Sequence, residues 1–272
     1  MVATVLSRLI GTREVSPRRA GAVTARNVVA FRAGGMYWWL VVSGFAEPVL
    51  YLFAIGWGVG ALVGDIPLGD GRSVSYLTFL APALLAAAAM NGAVAESTMN
   101  FFGKMKFSKL FDSVLNTPVT PVEISLGELA WAMARGTMYT GAFLVIMAAM
   151  GLTTPWRALV ALPAAILVGF AFGGLGMALA TLMRTWQDFD YVGVVQFALF
   201  LFSGTFVPVS TYPAVLQVVV QLTPLYHGVE LIRAITLDQV DASLLWHITY
   251  LLAVTAIGLA IASRRMTRLL LK

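Results

Sequence analysis

LVALPAAILVGFAFGGLGMALATLM, residues 159–183, carries no Asp, Glu, Lys, Arg or His and lies between Arg157 and Arg184. At 1.5 Å of rise per residue, a helix of this length covers the roughly 30 Å hydrocarbon core of a bilayer. We therefore read it as a membrane-crossing helix. Outward from it, five further apolar stretches lie at about 37–63, 76–95, 124–150, 191–207 and 245–262. The expected fold is all-α: a polytopic membrane protein with six transmembrane helices. Residues 1–36 form an N-terminal arm, 37–263 the transmembrane domain and 264–272 a basic tail.

Composition agrees. Of 272 residues, 59 % are hydrophobic and 11 % charged, and the mean hydropathy is +0.84, whereas soluble domains carry about a quarter of their residues as charges. There are no cysteines, which excludes disulfides and thiolate sites, and two histidines distant in sequence are too few for a His-rich metal centre. Each histidine is expected to be structural.

The basic residues order the ends of the spans. The N-terminal arm (Arg8, Arg13, Arg18, Arg19, Arg26, Arg32), the loop after the second span (Lys104, Lys106, Lys109), Arg184 and the tail (Arg264, Arg265, Arg268, Lys272) hold 14 of the 18 Lys and Arg. Arg72, Arg157 and Arg233 fall on the opposite side, and Arg135 inside the third span. The positive-inside rule then places both termini in the cytoplasm, in a cell membrane, with an even number of spans. The pI of about 9.7 is explained by topology, and nucleic acid is not an expected partner because no basic, aromatic-interleaved soluble module exists. Arg8, Arg13, Glu14, Arg18 and Arg19 interrupt any signal-peptide core, so Met1 is expected to be retained.

Three segments between spans read as structure of their own. Residues 18–34 read as a helix with Arg18, Arg19, Arg26 and Arg32 on one arc and Val28 and Phe31 towards the other side, either an interfacial helix or a solvated basic arm. Residues 109–115 place Leu110, Phe111, Val114 and Leu115 on one stripe before Thr117-Pro118, a short cytoplasmic helix whose apolar face suits either the membrane surface or a partner's groove. After the fifth span, Pro208 and Pro213 precede an apolar run too short to cross, and Pro224 follows it. This is a re-entrant or interfacial hairpin on the outer side, or an external loop with one helix.

No nucleotide-binding or hydrolytic motif is present. Gly103-Lys104 lacks the first glycine and the Ser/Thr of a P-loop, and neither H-E-x-x-H nor G-x-S-x-G occurs. Ionisable groups inside spans are costly unless paired or hydrated, which singles out Glu47, Glu96, Glu128 and Arg135. Glu47, Glu128 and Arg135 are candidates for a polar pathway or inter-helix pairs, whereas Glu96 is expected simply to reach headgroups and water. The glycines at 56, 58 and 60, and those from 169 to 176, suit close helix packing.

EPVLYLF at 47–53, YLTFLAP at 76–82, TPVTP at 117–121 leading into Gly127-Glu128, and SGTFVP at 203–208 followed by Pro213, Pro224-Leu225 and Arg233 together resemble the type-2 ATP-binding-cassette (ABC) permeases. The likeness is to nodulation-type lipo-oligosaccharide exporters and their bacterial drug-export relatives, over nearly the whole chain. The resemblance implies a permease that pairs with a second permease, as homodimer or heterodimer. Cytoplasmic ATPase subunits would grip the coupling helix at Leu110, Phe111, Val114 and Leu115. MgATP would be bound by those subunits, with no cofactor and no catalytic residue in this chain. The helix of Arg18, Arg19, Arg26 and Arg32 would be the interface helix. Phe206, Pro208, Pro213, Pro224 and Arg233 would shape an outer gate, and Tyr37, Trp38 and Trp39 would sit at the membrane interface. Two other classes have different requirements: an ion-coupled carrier would want more mid-span acids and a clear internal repeat, and an intramembrane enzyme would want paired reactive groups.

Overall fold

The computed structural model describes residues 15–33, 46, 49–55, 58–68 and 71–270. The expectations placed on Arg8, Arg13, Tyr37, Trp38, Trp39, Glu47, Pro48, Gly56 and Lys272 lie outside the described residues.

Helix α1 (Pro17–Ala33) precedes the apolar segments, the first of which ends in a short helix α2 (Gly60–Val63). Strands β1 (Asp65–Pro67) and β2 (Ser73–Ser75) pair antiparallel, with Asp65 opposite Ser75, and deliver the chain into α3 (Tyr76–Ala95). Ser75 Oγ accepts the Thr78 N–H and caps α3. A loop was expected from Asn100 onward, yet the helix runs on through two π-helical turns, Glu96–Asn100 and Gly103–Phe107. One continuous apolar helix of 32 residues, Tyr76–Phe107, results. The Ser97 and Thr98 hydroxyls donate to the Ala93 and Val94 carbonyls at 2.7 and 2.6 Å, competing with the α-type ladder and accompanying its change to wider turns. Lys109, at φ 48°, breaks the helix and starts α4 (Leu110–Leu115).

Helix α5 (Pro121–Ala149) opens with a full capping box: Thr120 accepts from the Glu123 N–H while Glu123 accepts from the Thr120 N–H, with Pro121 at the first helical position. Thr154 caps α6 (Pro155–Ala180) in the same way through the Arg157 N–H. Then come α7 (Asp188–Phe202), α8 (Ala214–Gln221), α9 (Pro224–Thr236) and α10 (Ser243–Leu270).

Among the described residues, four helices, α3, α5, α6 and α10, are long and apolar enough to cross a membrane, and α8 with α9, bent by 85°, makes a fifth if counted as one segment. The span expected at 191–207 stops at Phe202, since Gly204 takes a φ of 73° and Pro208 follows. Its 15 residues reach only about 22 Å. The six spans expected from the sequence would need α7 and the partly described first segment in addition to these four. The bend between α8 and α9 fits either a broken span or a re-entrant hairpin.

α3 and α6 form the centre, with 72 % and 56 % of their apolar stretches buried against 33 % for α5 and 17 % for α10. α6 packs on α3, α5, α9 and α10. Lipid offers no hydrophobic drive for helices to associate, so closeness must come from small residues. A Cβ on Gly258 of α10 would lie 2.5 Å from the Gly174 carbonyl carbon of α6, and one on Gly173 would lie 2.6 Å from Leu129. The earlier glycine run does not behave alike: Gly58 has open space around it and Gly60 only ordinary contact with Tyr76.

Candidate functional site

At the end of the bundle carrying α1, buried charges tie three elements together. Glu123, fully buried at the start of α5, accepts from Arg19 Nε at 2.8 Å, from the Ser16 N–H at 2.7 Å and from the Thr120 N–H at 2.8 Å. It holds α1 against α5, and Gly127 lets the helices touch, since a Cβ there would meet the Ala20 carbonyl at 2.6 Å. Sequence reading did not single out Glu123, although the Thr120-x-x-Glu123 capping box was its signal. The four arginines expected on one arc divide: Arg18 and Arg32 are exposed, whereas Arg19 pairs with Glu123 and Arg26 is half-buried. The buried strip of α1, Val23 and Asn27, runs beside Arg19 and Arg26 and draws them inward.

Glu128 is 6 % exposed and takes Lys104 Nζ at 2.5 Å, with Asn27 bridging: Asn27 Nδ2 donates to Glu128 Oε1 at 3.0 Å and Asn27 Oδ1 accepts from Lys104 Nζ at 3.1 Å. One turn of pairing away, Arg135 forms an ion pair with Glu96 and donates through Nε to Tyr139 Oη at 3.1 Å. The expectation that Glu96 merely reaches water is therefore corrected. The extra helical turn after Ala95 keeps its carboxylate, 8 % exposed, between α3 and α5, where Arg135 neutralises it. Glu128 and Arg135, seven apart on α5, face α3 and its extension as two separate inter-helix pairs.

α4 differs from its expected form. Phe111 is 1 % exposed, with its ring 5.1 Å from that of Phe101, and Leu110, Val114 and Leu115 pack half-buried against the same core. The apolar stripe is thus spent on the chain's own long helix and is not left free for a groove. What α4 presents outward is Asp112, Ser113 and the following Asn116, with Lys109 before it. Nearby, the Asp188 carboxylate accepts from the Arg184 and Thr185 N–H groups at 2.7 and 3.1 Å, which holds it below the usual carboxylate range.

The other end is built around Arg233. Buried in α9, it donates through Nη2 to the Gly204 carbonyl at 2.8 Å, pairs through Nη1 with Glu230 at 2.7 Å, and stacks its guanidinium 3.9 Å from the Phe79 ring centroid. Arg233 therefore ties the 203–207 turn to α9 and α3. Phe206 packs on Phe200 at 5.1 Å between centroids, and Pro208 leads out of the turn. Pro213 and Pro224 stand just before α8 and at the start of α9, so these residues shape one broken segment. Arg72 donates to the Leu237 carbonyl at 3.3 Å and Arg157 pairs with Asp238 at 2.6 Å, which gathers the three arginines assigned to this side. His227 and His247, twenty residues apart in sequence, meet with their Nδ1 atoms 2.7 Å apart, and Tyr250 stacks on His227. Nothing in local spacing signals that pairing. Among the described residues, no group of three or more His, Asp or Glu is placed to hold a metal ion.

The ABC-2 type transporter family model matches residues 19–237, from α1 to the end of α9. The chain belongs to that family. The chain is 34 % identical to Nodulation protein J of Rhizobium leguminosarum bv. viciae, over 91 % of this chain and 95 % of that one. It is 35 % identical to Nodulation protein J of Sinorhizobium fredii, over 85 % and 86 %. At 24 % it is similar to an Escherichia coli protein described as "Probable multidrug ABC transporter permease YbhR", over 68 % of this chain and 50 % of that one. As an ABC-2 permease it is a multi-pass membrane protein and the membrane part of a transporter. Its α1–α5 clamp, α4 and broken α8–α9 segment all lie within the matched region.

Proposed function

We propose that this ABC-2 permease is the membrane subunit of an ATP-driven exporter that moves an amphipathic substrate, a lipid-linked saccharide, a lipid or a hydrophobic drug, out of the cytoplasm or inner leaflet. The observation that carries the proposal is the seating of α4. Anchored by Phe111 on Phe101, it is a short helix off the bundle, joined rigidly to the 32-residue helix that runs through the bundle centre. A cytoplasmic ATPase dimer that closes on MgATP and shifts α4 moves α3 with it, which is how a ligand in one subunit biases a two-state element in another. In this reading the basic end, with α1 and both termini, is cytoplasmic, and the Arg233 end shapes the outer gate.

A second permease covers α7. That helix exposes Tyr191, Val194, Val195 and Phe197, and beside them Gln196 Nε2 donates to the exposed Asn91 of α3 at 3.1 Å. An exposed amide pair at membrane depth suits a helix interface or a hydrated path better than lipid tails. A cavity of about 900 Å³ between α6, α9 and α10, walled by Trp156, Leu167, Ile235 and Ile248, has the lining an acyl chain takes.

The test is co-purification of the tagged chain in nanodiscs with an ATPase assay, comparing wild type with Asp112→Arg/Ser113→Arg. These residues are exposed, so folding is preserved. A P-loop subunit that copurifies with wild type and is lost from the variant is the expected result. Transport by the purified chain alone would overturn the proposal.

A further inference from the structure

Beside the Asn27–Glu128–Lys104 triad, a cavity of about 410 Å³ opens between α1, the π-helical extension of α3 and α5, lined by Arg26, Phe31, Glu96, Lys104, Trp131 and Trp186 among others. Among the described residues its charges do not balance. Glu96 is neutralised by Arg135 and Glu128 by Lys104, while Arg26 has only a neutral neighbour, its Nη2 donating to Asn27 Oδ1 at 3.3 Å. Arg26 Nη1 is buried and, among the described residues, has no hydrogen-bond partner. A guanidinium nitrogen removed from water and left without an acceptor is unfavourable, so a turn of the side chain towards an acceptor in the cavity it lines is favoured. The fork geometry of Arg selects planar or tetrahedral oxyanions, phosphate above all. Four aromatic rings, Phe31, Phe107, Trp131 and Trp186, also line it, and aromatic rings are enriched where a protein meets the headgroup layer. Lys104 and Arg26 also lie at the basic end, where anionic lipids concentrate on the inner leaflet.

We propose that this cavity binds one phosphate-bearing anion, with the Arg26 guanidinium, turned into the cavity, as the principal donor and Phe31, Trp131 and Trp186 as walls for the attached chain. An anionic phospholipid headgroup and a free phosphate share this chemistry. The site needs the membrane reading of the fold but not the exporter reading, because lipid retention is measured on this chain alone.

The full chain, purified in detergent, is exposed to phosphatidylglycerol or phosphatidylcholine, and retained lipid is counted by native mass spectrometry with and without millimolar inorganic phosphate. The variants are Arg26→Gln, Arg26→Lys and, as an exposed control in the adjacent π-helical turn, Lys106→Gln. Wild type is expected to retain phosphatidylglycerol in preference to phosphatidylcholine. Arg26→Gln should lose about tenfold of that retention with an unchanged thermal midpoint, Arg26→Lys should lose less, and Lys106→Gln none. Retention that survives inorganic phosphate assigns the lipid; phosphate that raises the wild-type midpoint and displaces the lipid, with neither effect in Arg26→Gln, assigns the free anion. Both support the site. Equal loss in Arg26→Gln and Lys106→Gln, or no preference for the anionic lipid together with no effect of phosphate on wild type, overturns it. Should Arg26→Gln fail to fold, the wild-type preference and Arg26→Lys carry the same decision.

Discussion

Single side chains decide much of the behaviour of this protein because each buried charge has few partners. Glu96→Gln leaves Arg135 without its carboxylate between α3 and α5; breaking a buried pair this way costs about 3 kcal/mol. A clear fall in the thermal midpoint in detergent is expected, partly restored by adding Arg135→Met, and an unchanged midpoint would mean water screens the pair. Gly258→Ala should be more damaging than its size suggests, since its Cβ would lie 2.5 Å from the Gly174 backbone, which cannot yield as a side chain would. Overpacking costs about 1–3 kcal/mol, whereas Gly141→Ala, with nothing within 4 Å of the added carbon, should leave the melt unchanged. Asp188 is depressed by the Arg184 N–H first and the Thr185 N–H next. A depressed carboxylate contributes fully above its unfolded pKa and loses that contribution as pH falls through its folded value. Amide protection across 184–188 should therefore hold at neutral pH, decline in acid below the usual carboxylate range, and be weak at both in Asp188→Ala, which has no acceptor oxygen. These residues differ in how readable they were. Glu128 and Arg135 stood out as charges within apolar runs, but their partners Lys104 and Glu96 come from another helix, and spacing along one chain carries no information about that.

At the scale of elements, polar caps mark the helix starts, since Ser75, Thr120 and Thr154 each accept the N–H three residues on, yet apolar length alone starts the second and third of these helices several residues late, at about 124 and 159. The extension of α3 was not, because Asn100 to Lys106 is polar enough to read as a loop, and the helix persists only through contacts such as Phe102 with Trp186 and Phe189. α4 shows the same limit. Its apolar stripe was correctly expected on one face, but a stripe does not say whether it meets the chain's own core or a partner. Because Phe111 faces Phe101, Phe111→Ala should loosen α4 from α3, at about 3–5 kcal/mol for a fully buried ring. If α4 transmits motion, ATPase subunits would still bind this variant while substrate no longer stimulated hydrolysis; stimulation at the wild-type level would separate α4 from coupling.

For the whole molecule, orientation is the property most open to a direct check, since the absence of cysteine allows single-site labelling without background. A thiol at Arg268→Cys should react with an impermeant reagent only from the cytoplasmic side, and one at Ser73→Cys only from outside. The reverse pattern would invert the proposed topology. By itself the sequence determined that the chain is a helical, multi-pass membrane protein with a basic end, because apolar length and charge asymmetry are additive along a chain and need no knowledge of contacts. It also carried the family likeness, through short Pro, Gly and Glu signatures held in order. Only the tertiary structure decided which charges neutralise one another, that α4 turns its apolar face inward, that α7 ends at Phe202, that His227 meets His247, and that Arg26 keeps a buried nitrogen without a partner among the described residues. Each of these depends on atoms far apart in sequence brought within a few ångströms, and packing, not local pattern, sets such distances.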